Sequence, residues 1–514
     1  MQACDRFAIQ HLGIPGSVLM EHAGTGVVGK MISQYGSLSG KSILVVCGKG
    51  NNGGDGFVVA RQMLNRGAAV QTVLVGKGSL LKGDAKQNYL IWKNLVKRLG
   101  ARTKISHIEI QSIKSLSRIP KPDFVVDALF GTGFHGEVRG VHKGVIEWMN
   151  ESGAPIIAVD IPSGVDADNG CVMNSAVKAE LTVTMGLKKI GLIVGEGRIY
   201  AGAVEVTNIG VPPKIYSLQM ASSFLIKVSD ARENIPVRPL TAHKHSVGKI
   251  VVIAGSRGLT GAAAMTSLSA MRSGAGTVIL CTPASVYPIL ARKLTEVMVE
   301  PYPETSEGTL AASGYEELLK RISWADVVVL GPGLSRNHET EELVHKLVSS
   351  IELPLLIDAD GLNAFSLKRN LLGKHRSKDL IVTPHTGELS RLTGLAPEEI
   401  DNDRVECARS FSKTNRLTLV LKGAPTVTSS GDGVVYINSS GNPAMATAGM
   451  GDVLSGCIAG LWAQGMRRTE AAYIGVFIHG VAGDLCSRKI GDRGILSTDV
   501  QNMLPEAIRE VMQG

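Results

Sequence analysis

Short β-branched runs punctuate the first part of the chain: SILVVC at residues 42–47, VQTVLVG at 70–76, DFVVDALFG at 123–131, PIIAVDIPSG at 155–164, LTVTMG at 181–186 and AVEVTNIG at 203–210. Between them lie longer stretches whose apolar residues fall three or four apart, as in DGFVVARQMLNRG. That alternation predicts βαβ units around a mostly parallel sheet. The rhythm lapses at GVPPKIYSLQMASSFLIKVSDARENIPVRP, where Pro212 and Pro213 interrupt a stretch without clear periodicity. A second series follows: KIVVIAGS, TVILCTP, DVVVLGPG, PLLIDADG, LIVTPHTGE and LTLVLKG. The pattern predicts two α/β domains, residues 1–213 and 225–514. The runs of the second series all end in small, polar or charged residues, the place where an open parallel sheet holds its ligands.

Length agrees, because 514 residues exceed what one ordinary core organises. The composition is that of a globular α/β protein with 60 glycines and no polar low-complexity tract, and no internal repeat of solenoid length is visible. A net charge of +8, carried by scattered Lys and Arg, favours small anionic ligands and excludes nucleic acid as the expected partner. The 7 cysteines are odd in number and form no C-x-x-C pair, which excludes a disulfide framework and a zinc site and fits a reducing cytoplasm. The start MQACDRFAIQHLG has no cationic segment leading into an apolar stretch, and no run approaches the roughly 20 apolar residues that span a bilayer, so neither export nor a membrane partner is expected.

The first chemical signal is GKGNNGGDG, where Gly48, Gly50 and Gly53 satisfy G-x-G-x-x-G directly after a buried-type strand. Taken alone, this is as readily a plain strand-to-helix turn. The helical run that follows, with Asp55 as its N-cap candidate, supports an anion held against a helix N-terminus. A hydride-transferring enzyme would also carry an acid at the end of the next strand, to bond the ribose hydroxyls. Here that strand ends in Gly76 and Lys77. Redox chemistry is therefore disfavoured, and the amides of Asn51 and Asn52 with the Asp55 carboxyl read as groups for sugar hydroxyls or a cation. Asp127, Asp160 with Ser163, and Lys189 stand at later strand ends and point to the same crevice, although any one acid there could simply cap a helix.

In the second part, GNPAMATAGMGDVLSG places Gly449, Gly451 and Asp452 before an apolar helical run. A carboxylate beside a phosphate-binding helix terminus repels phosphate in the ground state, which makes sense chiefly if Asp452 is the base for a hydroxyl that attacks phosphorus. Lys422, at the end of LTLVLK, reaches phosphate as a point charge, and His385, between Pro384 and Thr386 at another strand end, tilts towards ligand contact.

With these motifs in view, GIPGSVLMEHAG, GKGNNGGDGFVVAR, VVDALFGTGFHGEVRG, AVDIPSGVDADNG and LTVTMGLKKIGL together resemble the NAD(P)H-hydrate epimerase family across nearly all of residues 1–213. From about residue 225 to the end, HKHSVGKIVVIAGS, LGPGLSRN, DADGLNAF, TPHTGE, KGAPTV, GNPAMATAGMGDVLSG and HGVAGDL resemble the ADP-dependent NAD(P)H-hydrate dehydratases. The resemblance implies an N-terminal Rossmann-like three-layer α/β domain and a C-terminal ribokinase-like α/β domain, which together epimerise and dehydrate damaged nicotinamide dinucleotides. It implies that Asn51, Asn52, Gly53, Gly54 and Asp55, with Gly131, Thr132, Gly133, Phe134, His135, Gly136 and Glu137, grip the dinucleotide. Asn52, Asp127 and Ser163 would coordinate a potassium ion, and Asp160 would contact substrate with Lys189 in support. In the second domain Ala262, Gly333, His385 and Asp452 would touch the hydrate, and Lys422, Gly423, Ala424, Pro425, Thr426 and Gly451 would bind ADP, with Mg2+ accompanying it.

The expected partners are small molecules and further copies of the same chain. His22 stands where the family usually has Asn, Lys188 where it has Pro, Ala444 where it has Gly and Thr386 where it has Pro. Two other readings compete: a sugar or vitamin-precursor kinase joined to a nucleotide-binding domain, and a first domain that binds without catalysis. The second predicts loss of Asp160 or the motif lysine, and both are present.

Overall fold

A computed structural model describes residues 2–100, 102–218 and 221–513. The chain divides into two compact units, Met1–Ala221 and Ser222–Gly514. Residues 219 and 220 of the aperiodic stretch lie outside the described residues.

In the first unit the apolar runs become β1 (Ser42–Cys47), β2 (Ala69–Val75), β4 (Phe124–Ala128), β5 (Ile156–Val159), β6 (Leu181–Met185) and β7 (Ala203–Thr207), with β3 (Ile105–Ile110) in addition. All pair in parallel, in the order β3-β2-β1-β4-β5-β6-β7. Alternate residues of β1 feed opposite faces: Ile43 and Val45 pack with Phe57, Met63 and Trp92, whereas Leu44 and Val46 pack with Val145, Ile146 and Met149. Helices therefore cover both faces, which accounts for strands read as continuous apolar runs and makes the unit three-layered. Strand order reverses between β1 and β4, and the crevice of a doubly wound sheet opens at such a point.

β3 escaped the sequence reading because ISHIEI alternates apolar with polar residues. It is an edge strand, and His107 and Glu109 join a polar network that runs through Thr72, Trp92 and Tyr89.

The second unit has a ten-stranded sheet. Its strands are β8 (Ser223–Leu225), β9 (Lys249–Ile253), β10 (Thr277–Pro283), β11 (Met298–Tyr302), β12 (Val327–Leu330), β13 (Leu355–Ile357), β14 (Leu380–Val382), β15 (Thr418–Leu421), β16 (Val427–Ser429) and β17 (Val435–Ile437). The order is β11-β10-β9-β12-β13-β14-β15-β16-β17-β8. From β11 to β15 the pairing is parallel; β15-β16 and β16-β17 are antiparallel, so the sheet is less uniform than the alternating pattern predicts. The helices Thr260–Arg272, Met450–Ala463 and Arg468–Ile490 bury their apolar sides against it.

The stretch that lacks periodicity forms the helix Pro213–Leu218, then β8, which pairs with β17 at the end of the second sheet, and the helix Val228–Asn234. Among the described residues there is no disulfide, and no helix is long and apolar enough to cross a membrane.

Candidate functional site

The loop after β1 runs straight into the helix Asn51–Leu64, whose N-cap is Gly50. Asp55 therefore lies within the helix and does not cap it, contrary to the sequence expectation: Asn51 to Gly54 already take helical conformation, because two glycines let the helix start pass close to the preceding loop. A Cβ on Gly53 would stand 2.0 Å from the carbonyl oxygen of Gly48, and one on Gly48 would stand 1.8 Å from that of Leu129. Gly53→Ala should thus lower stability by about 1–3 kcal/mol, the usual range for forced overpacking, seen as a lower first thermal transition; an unchanged transition would refute the close approach.

A cavity of about 840 Å³ opens above the carboxyl ends of β1 and β4. Asn51, Asn52, Asp55, Asp160 and the loop Gly131, Thr132, Gly133 and Phe134 contribute to its wall. Gly53 and Gly54 lie buried beneath it as packing residues. His135, Gly136 and Glu137 are not brought to this wall: His135 Nδ1 meets Asp166 at 2.8 Å, and Glu137 accepts from Arg139 at 3.4 Å.

Behind the wall sits a buried oxygen cluster. Asp127 is fully buried; its Oδ1 accepts from the Leu129 N–H at 3.1 Å and the Ser163 hydroxyl at 2.6 Å, and its Oδ2 accepts from the Ser163 N–H at 2.8 Å. Burial pushes its carboxyl up to about 6, against those donors. Asn52 donates to the Phe130 carbonyl at 2.6 Å, whereas its own Oδ1 is buried without a hydrogen-bond partner. Such an orphaned acceptor beside a buried carboxylate is the donor chemistry a hard monovalent cation satisfies.

Asp160 follows β5 with φ of 67°, the left-handed region that a residue with a Cβ enters at a cost. Its Oδ1 accepts from the Lys189 ammonium, from the Met185 N–H at 2.9 Å and from the Thr184 hydroxyl at 3.1 Å. Lys189 is buried and also donates to Thr184 Oγ1 and the Met185 carbonyl, each at 3.0 Å, while Lys188 is exposed. The motif lysine is thereby distinguished from its neighbour. Asp55 is held well above the usual carboxylate range by burial and by Asp160 and Asp5. Asp5 escaped the sequence reading because an acid in a short N-terminal helix carries no motif.

In the second unit three neighbouring strands end at one place: β13 delivers Asp358, β14 leads to His385, and β15 delivers Lys422, with His385 and Lys422 joined by a parallel bridge. Lys422 donates to Asp358 Oδ1 at 2.8 Å and faces Glu388 at 3.6 Å; burial opposes its charge, and those two carboxylates more than offset this, so its pKa is raised. Asp358 Oδ2 accepts from the Ser455 hydroxyl at 2.6 Å. Ala359, at φ of 50°, turns Asp360 the other way, to accept from the Ser335 N–H at 2.9 Å. Neither acid was singled out from the sequence, although PLLIDADG ends in the same way as the first unit's strand with Asp127.

The helix Met450–Ala463 begins after Gly449, whose φ of 87° turns the chain into it. Its first turn holds Gly451, whose Cβ would stand 3.3 Å from Lys422 Nζ, and Asp452. Burial first, then repulsion from Asp358, pushes the Asp452 carboxyl up to about 7. Gly333 and Ala262 adjoin, with 3.2 Å between an added Cβ on one and the Cβ of the other.

His385 has a structural task as well: its Nδ1 accepts from the Gly387 N–H at 3.0 Å, capping the helix Thr386–Thr393, while Glu388 accepts from the His385 N–H at 2.8 Å. Burial lowers its pKa, which keeps the ring neutral for that acceptor role, and Nε2 lies 3.5 Å from Glu388 Oε1. The loop Lys422 to Thr426 is clamped by Arg404, which donates to the Lys422 carbonyl at 2.9 Å and to Thr386 Oγ1 at 2.9 Å. Arg404 lies on a separate helix, Arg404–Asn415, with no local signal that it reaches this loop.

Comparison with known proteins covers both units. A family described as NAD(P)H-hydrate dehydratase matches residues 250–506, and one described as YjeF-related protein N-terminus matches residues 16–191. The bifunctional NAD(P)H-hydrate repair enzyme of Moorella thermoacetica is 41% identical over 513 residues, covering 99% of this chain and 96% of that protein. The Escherichia coli protein of the same name is 33% identical over 507 residues, covering 98% and 92%. Among solved structures, a ribokinase-like superfamily protein from Enterococcus faecalis aligns with a TM-score of 0.50 at 26% identity, covering 57% of this chain and 98% of that one.

Proposed function

This chain belongs to the bifunctional NAD(P)H-hydrate repair enzymes, and we propose on that footing that Asp160 and Asp452 carry its two reactions. The first unit is the NAD(P)H-hydrate epimerase and the second the nucleotide-dependent, ribokinase-like NAD(P)H-hydrate dehydratase. The observation that supports the residue assignment is that each unit places a carboxyl and a lysine at the carboxyl end of its sheet: Asp160 pairs with Lys189, while Lys422 pairs with Asp358 and acts on Asp452 through its charge.

A hydrated nicotinamide bears a hydroxyl on C6, next to the ring nitrogen, so its configuration inverts by loss and return of oxygen. Proton transfer is the main requirement. Asp160, whose Oδ1 faces Lys189 and the Met185 N–H, takes the proton, and Asn51, Asn52 and Asp55 with the Gly131 to Phe134 loop hold the dinucleotide. Potassium fits Asn52, Asp127 and Ser163, where it would balance the buried carboxylate and steady the Phe130 loop that Ser163 and Asn52 already touch.

In the second unit hydroxide is a poor leaving group, which a phosphoryl group replaces. Asp452 accepts the C6 hydroxyl proton as the oxygen attacks the β-phosphorus of ADP and AMP departs. The ring nitrogen then expels phosphate, and loss of a C5 proton restores the dihydronicotinamide. The N-terminus of the helix Met450–Ala463 and Lys422 face the charge that spreads over the transferring group. Gly423, Ala424, Pro425, Thr426 and Gly451 hold ADP, while Ala262, Gly333 and His385 flank the hydrate. Asp358, Asp360 and Glu388 add negative charge around Asp452, and this donor set fits Mg2+ arriving with the nucleotide, whose role is to neutralise phosphate oxygens. Cytoplasmic residence and homo-oligomeric assembly belong to the same proposal, and sedimentation of the purified chain tests the latter.

The decisive experiment supplies mixed R and S hydrate with ADP and follows NADH absorbance. Complete conversion is expected in potassium buffer, with slower use of the R form when choline replaces potassium. Arrest with R left over in potassium would show an inactive first unit, and a stable phosphorylated alcohol would favour an ordinary kinase.

A further inference from the structure

The helix Gln2–Gln10 brings Asp5 to the wall of the cavity that Asp55 and Asp160 also line. Its Oδ1 is shut off from solvent and has no hydrogen-bond partner. An ionised oxygen in that position loses hydration and receives no donor in return, which disfavours the charged form. Burial accordingly raises the Asp5 pKa, with Lys189 opposing and Asp160 reinforcing the shift.

Asp160 is in the opposite condition. The groups that meet its Oδ1 are all donors: the Lys189 ammonium, the Thr184 hydroxyl and the Met185 N–H. One cavity thus holds two carboxyls in different surroundings, Asp160 with donors on its Oδ1 and Asp5 with an oxygen that receives none, the kind of arrangement that separates an acid from a base. Asp55, deeper and with its pKa raised by burial, is tied to the helix that grips substrate, whereas Asp5 enters from another element with an oxygen to spare.

We infer that Asp5 is a further catalytic residue of the first unit, the acid that protonates the departing C6 hydroxyl while Asp160 serves as the base. This rests on the epimerase reading. The Asp5 proton passes to the C6 oxygen, the C6–O bond breaks with its electron pair on oxygen, and the ring-nitrogen lone pair forms a C6–N1 double bond as water leaves. Water then returns to the other face: its oxygen bonds C6, the π pair goes back to nitrogen, and Asp160 takes the released proton. The two carboxyls exchange protons with solvent between turnovers, and in the reverse direction their roles swap.

The test measures R-to-S exchange in the full chain for wild type, Asp5→Asn, Asp5→Ala and Asp5→Glu, with dehydration of pure S hydrate by the same samples as the reference activity. Asp5→Asn should lower kcat for exchange by about 100-fold, at the lower end of general-acid contributions, with KM little changed. Asp5→Ala should lose as much and regain exchange on addition of formate, and Asp5→Glu should retain part of it. Wild-type kcat in Asp5→Asn, a rise in KM alone, or a loss in Asp5→Ala that formate does not restore would each overturn the assignment. Absence of exchange in the wild type would instead overturn the epimerase reading, and this inference with it.

Discussion

Asp452→Asn should abolish NADH formation from S hydrate and ADP, with kcat falling by about 1,000-fold or more, while R-to-S exchange continues at the wild-type rate. The size follows from what is removed: a general base contributes about 100- to 10,000-fold, and the proton here leaves a hydroxyl too weakly acidic to attack phosphorus unaided. Asn keeps the volume and the first turn of the helix Met450–Ala463, so a loss of activity reports on the carboxylate. Rapid-quench detection of AMP and phosphate checks it, and normal turnover in Asp452→Asn would remove the residue from that role. The wild type adds a second readout. Burial and Asp358 push this carboxyl up to about 7, and the base must be ionised, so kcat should rise as pH increases through that region. Stability runs the other way: the folded chain binds this proton more tightly than the unfolded chain, so the contribution is full below 3.8 and is lost as pH rises through about 7.

Asp160→Asn should reduce R-to-S exchange to the spontaneous rate, about 100- to 10,000-fold down, and leave dehydration of pure S hydrate untouched. With mixed hydrate and ADP, NADH would appear in one phase, as S is consumed, followed by a slow drift. The change also strips the buried Lys189 of its counter-charge, and removal of one partner from a buried pair destabilises by about 3–5 kcal/mol. Asp160→Asn combined with Lys189→Met removes both charges and should recover stability without recovering exchange. That separation tells a catalytic carboxylate from a structural one, and exchange at wild-type speed in either variant would sink the assignment.

Legibility in the sequence followed a physical line. Strands buried on both faces were legible because three-layer packing demands continuous apolar runs, as in SILVVC and KIVVIAGS. Several others were not: β3 alternates polar residues on a sheet margin, β8 and β11 are half-exposed strands at the two ends of their sheet, and β16 and β17 are buried but only three residues long, too short to show a pattern. Asp55 was misplaced as a cap because the expected start of the helix lay five residues too late, and glycines that usually interrupt helices here serve close packing.

The candidate residues divide in the same way. Asn52, Asp127, Asp160, Lys189, Lys422 and Asp452 were readable because each stands at a strand end or helix start, positions that one chain segment defines. Asp5, Asp358, Ser455 and Arg404 act on partners far away in the chain, and no local pattern announces a contact such as Arg404 with the Lys422 carbonyl. The sequence by itself determined two α/β units and which strand ends offer charged and polar side chains, since periodicity and turn residues are local consequences of burial and backbone sterics. Only the tertiary structure decided which carboxyls meet donors, because that depends on whether distant segments bring them, as at Asp160, or bury an oxygen without any, as at Asp5.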